Sequence, residues 1–295
     1  METYLAISIS QIQPLQYRKI IQSVDNPKKL LTQSDDFYQH HNIHPTIANK
    51  LKAPDEKSIL SILKWLRQHD CTLISDQCES YPDQLKQLPC APPLIYVMGD
   101  SQHLRRKHIA VVGSRNASYY GISTTRTFTR GIATHGYGIA SGLAIGIDTI
   151  AHETCLESIQ PTIAIIGLGL DNITPICNRP LAEKIMTLGC IITEMPPQTR
   201  YQKQCFPRRN RLISALSIAT LIPEASQASG TLITAQYSID LHRPVMAVPG
   251  RIDQPQAGGC HQLIQTGAHL VTHAQDCLDL LSESQKLEQN CSVTS

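Results

Sequence analysis

No stretch of this 295-residue sequence approaches the roughly 20 apolar residues that a membrane-spanning helix needs. The amino terminus, METYLAISISQIQPLQYRK, also lacks a basic start followed by a long apolar segment, so neither membrane insertion nor secretion is expected. Charge imbalance is missing too. Lys and Arg number 26 against 24 Asp and Glu, a formal net charge of +2, so the molecule is no basic coat for DNA and any binding of a polyanion must be local. There are ten cysteines but no Cys-x-x-Cys pair, and they are scattered from Cys71 to Cys291 through segments that otherwise read as core. They read as reduced thiols of a cytoplasmic protein. His40, His41 and His44 raise a metal hypothesis, yet histidines in such a polar stretch read better as surface residues. Internal repeats and low-complexity tracts are absent.

What is present suffices for a core: hydrophobic residues make up 41% of the chain, enough for one large or two modest domains. Residues 1–95 are polar and broken by Pro14, Pro27, Pro45, Pro54, Pro82 and Pro89, which predicts short helices between the prolines. Ile59, Ile62, Leu63 and Leu66 recur at helical spacing and mark an amphipathic helix of a small α-helical module. Residues 89–100 read as a linker running into a short extended stretch. After Lys107, apolar runs of strand length alternate with helix-sized segments: 108–112, 139–140, 162–166, 189–193, 217–222, 244–248 and 269–272. That alternation predicts an α/β domain over residues 100–283, a doubly wound, mostly parallel sheet with helices on both faces, followed by a frayed tail over 284–295.

Ligands of such sheets collect outside the carboxyl ends of the strands. Gly113-Ser114-Arg115, Ser141-Gly142 and Ser229-Gly230-Thr231 each follow a predicted strand or open a helix with small residues and hydroxyls that suit a phosphate. The stretch 196–222 adds Arg200, Lys203, Arg208, Arg209 and Arg211 with no Asp or Glu between Glu194 and Glu224, and Tyr201 and Phe206 sit among these cations. Three prolines and no apolar periodicity before Leu212 predict a loop, and cations interleaved with aromatics suit a single nucleic-acid strand. A solvated charge run is the other reading of the same residues. Gly167-x-Gly169 lacks the third glycine of a dinucleotide fingerprint, and Pro175 and Pro180 interrupt the following helix, so no nicotinamide or flavin cofactor is expected. Asp148 and His152 share a helix face, and we read them as a structural pair rather than a catalytic one, the histidine hydrogen-bonding the carboxylate at a helix start. Glu194 and Glu224 follow predicted strands without a nucleophile beside them, and are expected to orient arginines or cap loops.

Gly113-Ser114-Arg115, the run from Ser141 to Asp148 with His152, Phe206-Pro207-Arg208-Arg209-Asn210-Arg211, Glu224-Ala225 with Ser229-Gly230, and Pro249-Gly250 together resemble the DNA-processing protein A family, DprA, also called Smf. The resemblance covers residues 81 to about 272. It implies an extended Rossmann-like domain after a small sterile-alpha-motif-like helical domain, with no catalytic activity and no cofactor. It further implies binding of single-stranded DNA that has entered a bacterium, a homodimer made through the Rossmann-like domain, and loading of the RecA recombinase during natural transformation. Carried over by motif, Ser114 and Arg115 hold a phosphate, Lys203 is the basic position before Phe206, Phe206 packs on a base, and Arg209, Asn210 and Arg211 complete the pocket wall. Gly113, Ser141, Gly142, Ser229 and Gly230 belong to the same phosphate-binding set. The sequence departs from the family at Thr174-Pro175, where Tyr-Pro is common, and at Ala215, where a glycine is common; Arg179 downstream supplies charge there. Only about two dozen residues follow Val271, so the family's optional winged-helix domain is not expected. A second reading, a nucleotide hydrolase of the phosphoribohydrolase type, resembles this chain at Gly230-Thr231. The turn that should then carry its glutamate reads Leu232-Ile233-Thr234-Ala235 instead.

Overall fold

The computed structural model describes residues 1–24, 26–199 and 204–293, with side chains placed through residue 283. Lys203, together with Arg200 and Tyr201, lies outside the described residues. Five helices come first: α1 (Glu2–Ser10), α2 (Pro14–Val24), α3 (Asp35–His40), α4 (Pro45–Lys52) and α5 (Glu56–Gln68). Ser34, His44 and Asp55 each accept a backbone N–H at the start of α3, α4 and α5, and Pro14 and Pro45 occupy first positions, where a missing N–H costs nothing. These helices enclose a core of their own around Tyr17, Ile20, Leu30, Tyr38 and Leu51. His40 and His41 meet edge to face and His44 caps α4; no group of metal-ligating side chains occurs among the described residues.

The sheet begins earlier than the sequence suggested. Strands β1 (Cys71–Ser75) and β2 (Leu94–Gly99), separated by the short α6 (Asp83–Lys86), pair antiparallel with each other, and β2 pairs antiparallel with β6 (Cys190–Thr193). Residues assigned to a helical module and a linker thus form one margin of the sheet. The extended stretch expected after the linker is β2, and β1 is partly exposed, with only Leu73 and Ile74 as successive apolar residues, so it lacks the plain apolar run of the inner strands. The remaining strands are β3 (His108–Val111), β4 (Gly138–Ser141), β5 (Thr162–Ile165), β7 (Ala219–Ile222), β8 (Val245–Ala247) and β9 (His269–Leu270). The order is β1-β2-β6-β5-β4-β3-β7-β8-β9, parallel from β6 to β9. Strands β3 to β8 are buried throughout, which explains why they read as unbroken apolar runs rather than as alternations.

Helices α7 (Tyr119–Thr134), α8 (Ile147–Glu157) and α13 (Ala274–Val293) accompany a core that includes Ile109, Phe128, Ile139, Leu221 and Val271. Helices α10 (Cys205–Ala215), α11 (Thr231–Asp240) and α12 (Gly258–Gln265) contribute to another that includes Ala110, Leu212, Ala235, Ala247 and Cys260. Helix α9 (Arg179–Leu188) packs with Leu66 of α5 and Tyr96 of β2, joining the helical module to the sheet. Pro180 stands in the first turn of α9 and so opens the helix instead of breaking it. Helix α13 runs through residues expected to fray.

Two histidines are sealed inside. His108 Nδ1 donates to the Arg106 carbonyl at 2.9 Å; His152 Nδ1 lies 2.7 Å from Thr162 Oγ1, which itself donates to the Ile139 carbonyl, so this ring nitrogen carries the proton. The expected His152 to Asp148 bond is therefore replaced by one to Thr162. Burial drives the two rings from 6.5 down to about 4 and about 3, and both stay neutral. Because the unfolded chain takes up these protons first, stability is full above pH 6.5 and falls as pH drops through the window down to those values. Unfolding free energies from urea titrations should decline there by about 1.4 kcal/mol per pH unit for each histidine, and a His108→Gln, His152→Gln double variant should show a shallower decline. An unchanged slope in that variant contradicts the assignment.

Candidate nucleic-acid interface

Neighbouring strands diverge at β3: its chain continues through α7 to β4 on one side, while β7 lies on the other. That switch point opens a crevice at the carboxyl ends of the strands. A cleft of about 470 Å³ occupies it. One wall is the loop after β3, Gly113 to Asn116; another is the loop after β7 with the first turns of α11, including Ser226, Ser229, Gly230 and Ile233. The third is the start of α10, which presents Phe206, Pro207, Arg209 and Asn210.

The β3 loop is held on both sides. Ser114 N–H donates to the Glu224 carbonyl at 2.8 Å, and the Ser114 carbonyl accepts from Ile147 N–H at 3.1 Å. Gly146 makes this approach possible: it has φ 81°, and a Cβ there would stand 2.3 Å from the Ser114 carbonyl oxygen. The Glu224 carboxylate accepts from the Ser118 N–H at 3.0 Å and from the Ser118 hydroxyl, while the Ser118 hydroxyl oxygen accepts from Gly121 N–H at the start of α7. Glu224 is thus the loop cap expected of it. What remains for a ligand is the proton of the Ser114 hydroxyl, whose oxygen accepts from Asn116 N–H at 3.2 Å, and Arg115, which is exposed and forms no ion pair among the described residues.

The basic stretch forms a helix from Cys205 rather than the expected loop. Pro207 falls in the first turn, where it is tolerated, and the charges hide the period because they are spent inward. Arg209 is buried; its Nη1 donates to the Gly142 carbonyl at 2.7 Å and also to the Ile165 carbonyl, at the ends of β4 and β5, and its Nε donates to Asn210 Oδ1 at 3.2 Å. Asp148 faces it, accepting the Gly142 N–H at 3.0 Å and the Ala144 N–H at 3.4 Å. Burial pushes the Asp148 carboxyl up, against the pull of Arg209 and those N–H groups. Burial lowers Arg209 to about 10, with Asp148 opposing the drop and Arg115 adding to it, so the guanidinium is charged at neutral pH. Arg209 is therefore the charged floor of the cleft rather than a mobile ligand.

Four expected ligands are not at the cleft. Arg211 is 3% exposed and clasps Glu194 with two bonds, Nη1 to Oε1 at 2.9 Å and Nη2 to Oε2 at 2.8 Å. Burial alone would lower Arg211, but Glu194 outweighs it and holds the guanidinium above its usual range. Ser141 and Gly142 lie beneath the floor: the Ser141 hydroxyl donates to the Val111 carbonyl at 2.6 Å, and Gly142 is engaged at both N–H and carbonyl. A Cβ on Gly142 would stand 2.4 Å from the Arg209 guanidinium, so this glycine makes room for the arginine rather than for a phosphate. Arg179 faces solvent beside Glu183 at 3.8 Å and does not line the cleft. Gly113, Ser114, Arg115, Phe206, Arg209, Asn210, Ser229 and Gly230 do come together there. Asn116 and Ser226 were missed, though each adjoins a motif that was read.

A Rossmann-like α/β protein with a cationic cleft at its switch point is the class these features define. A family model described as DNA recombination-mediator protein A matches residues 72–282, and the chain belongs to that family. It is 41% identical over 226 residues to Protein Smf of Escherichia coli, an alignment covering 76% of this chain and 60% of that one. It is 40% identical over 205 residues to DNA processing protein DprA of Streptococcus pneumoniae, covering 70% and 72% of the two chains. The solved structure of that protein superposes with a TM-score of 0.84 at 31% identity, covering 94% of this chain and 97% of its own. DNA processing protein A of Helicobacter pylori, whose structure is described for its single-stranded DNA binding mode, superposes with a TM-score of 0.66 at 28% identity over 72% of this chain and 96% of its own.

Because Arg211 is paired with Glu194, and Arg209 is a buried cation that ties the Gly142 and Ile165 carbonyls together beside Asp148, Arg209→Ala and Arg211→Ala should each lower folding stability by about 3–5 kcal/mol in urea. Arg115→Ala should stay within about 0.5 kcal/mol of the parent. Equal stability of all three variants contradicts the division between floor and ligand.

Proposed function

We propose that this protein binds single-stranded DNA in the switch-point cleft, protects incoming DNA, and helps load RecA recombinase onto it during natural transformation, acting in the cytoplasm as a homodimer. The observation that carries the binding step is Arg115: an exposed guanidinium with no acidic partner among the described residues, set beside the Ser114 hydroxyl and across the cleft from the half-buried Phe206 ring. Guanidinium and hydroxyl suit a phosphate; the ring offers an unstacked base a face to lie on. The recombinase step rests on membership of a recombination-mediator family.

The role is binding rather than catalysis. Among the described residues Asp148 is the one carboxylate lining the cleft, and it is committed to Arg209 and two backbone N–H groups. Helix α11 brings Thr231, Ile233 and Thr234 to the cleft where a phosphoribohydrolase would need an acid, which argues against the hydrolase reading. Release of free base from nucleoside monophosphates would overturn this choice.

Oligothymidine should bind more tightly than the matching duplex, with a log–log salt slope of about −0.7 for each phosphate contacted. Arg115→Ala should weaken binding to all sequences alike and make that slope shallower by about 0.7, since a phosphate contact carries no base information. An Arg115→Ala variant that binds as the parent does, with the same slope, contradicts the assignment.

A further inference from the structure

Helix α10 has two lined faces. Phe206, Pro207, Arg209 and Asn210 face the switch-point cleft, while Cys205 and Arg208, three residues apart on another face, line a second cavity of about 550 Å³ between the helical module and the sheet. Its far wall comes from the end of α1, the turn into α2 and the start of α5; its near wall includes residues 194–199. The size lies within the range of small-molecule sites.

The charge in this cavity is unbalanced. Glu194 is the one carboxylate lining it among the described residues, and Arg211 already takes both of its oxygens. Arg208 reaches the same carboxylate at 3.2 Å, so two arginines share one negative charge and a net positive charge is left at the more exposed of them: the Arg208 side chain is 32% exposed, that of Arg211 3%. The rest of the lining is neutral. Gln11, Gln13, Gln198 and Gln204 supply amides, and Ile9 and Pro196 are among the apolar groups. Amides can both donate to and accept from base edges, and flat apolar surface suits a base face. Two of these glutamines are held in left-handed backbone, Gln11 at φ 63° and Gln198 at φ 66°. Gln198 is further fixed by its N–H to Asp171 Oδ2 at 2.8 Å and by its amide to Ser61 Oγ at 3.3 Å.

We propose that this cavity is a second nucleotide subsite. The strand leaves the first cleft over the amino-terminal turn of α10, a helix about 10 Å across. One phosphate then rests on Arg208, with its base against Ile9 and Pro196 and the glutamine amides at the base edge. The helical module thereby contacts the strand directly. This deepens the proposed function and rests on the first cleft being a single-stranded DNA site.

Affinity for a length series of oligothymidines, measured on the full chain at several salt concentrations, tests it. For the parent, affinity should grow once the oligomer is long enough to pass α10. Arg208→Ala should bind the shortest binding oligomer as the parent does, but lose the gain with length and show a salt slope about 0.7 shallower for longer oligomers. Gln13→Glu, at an exposed position where a charge is tolerated by the fold, should lose the same gain by repelling the phosphate. Parent affinity that does not grow with length, or a gain kept in both variants, overturns the second subsite. Arg115→Ala separates the two ideas: if it leaves the shortest binding oligomer unaffected, the first-cleft reading fails instead.

Discussion

The structure of the cleft depends on one buried cation. Arg209 enters from α10, ties the carbonyls ending β4 and β5 together, and faces Asp148 across the same floor. A charge in such a place is tolerated because oxygens of Gly142, Ile165 and Asn210 accept from it and the Asp148 carboxylate exerts an opposing charge. Three sequence features follow from it. Gly142 has no side chain because the guanidinium occupies that space; Asp148 sits in the first turn of α8; and α10 must reach the switch point rather than stop short of it. The cleft is therefore a rigid frame, and the group left to move onto a ligand is Arg115 at its rim.

A similar exchange of surface charge for internal structure governs the basic stretch. Counted along the chain, its arginines read as one positive patch. In space Arg211 neutralises Glu194, Arg209 answers Asp148, and Arg208 shares Glu194 with Arg211. The field presented to a polyanion is smaller than the sequence total and divided between two faces of one helix. Affinity from such a surface depends on a few placed contacts and not on a broad basic coat.

Much of the fold was legible because burial on both faces writes strands β3 to β8 as plain apolar runs. Strand β1 was not, since it is partly exposed and carries only Leu73 and Ile74 as successive apolar residues, while β2 was read as an extended stretch after a linker and not as part of the sheet. Within the site, Gly113, Ser114, Arg115, Phe206, Ser229 and Gly230 were read as neighbours and do line one cleft, because the loops after β3 and β7 adjoin at the switch point and α10 carries Phe206 there. The roles of Ser141, Gly142, Arg209 and Arg211 were not. Each is fixed by a partner far along the chain, such as Glu194 seventeen residues before Arg211, and a residue that is charged or small for packing reasons looks the same in sequence as one that meets a ligand.

The most direct test of the central claim is amide hydrogen exchange with and without bound oligothymidine. The account predicts added protection concentrated in residues 113–116 and 226–234 and at the start of α10, at the carboxyl ends of the strands. Protection confined to the opposite end of the sheet, around residues 241–245 and 266–269, would contradict it.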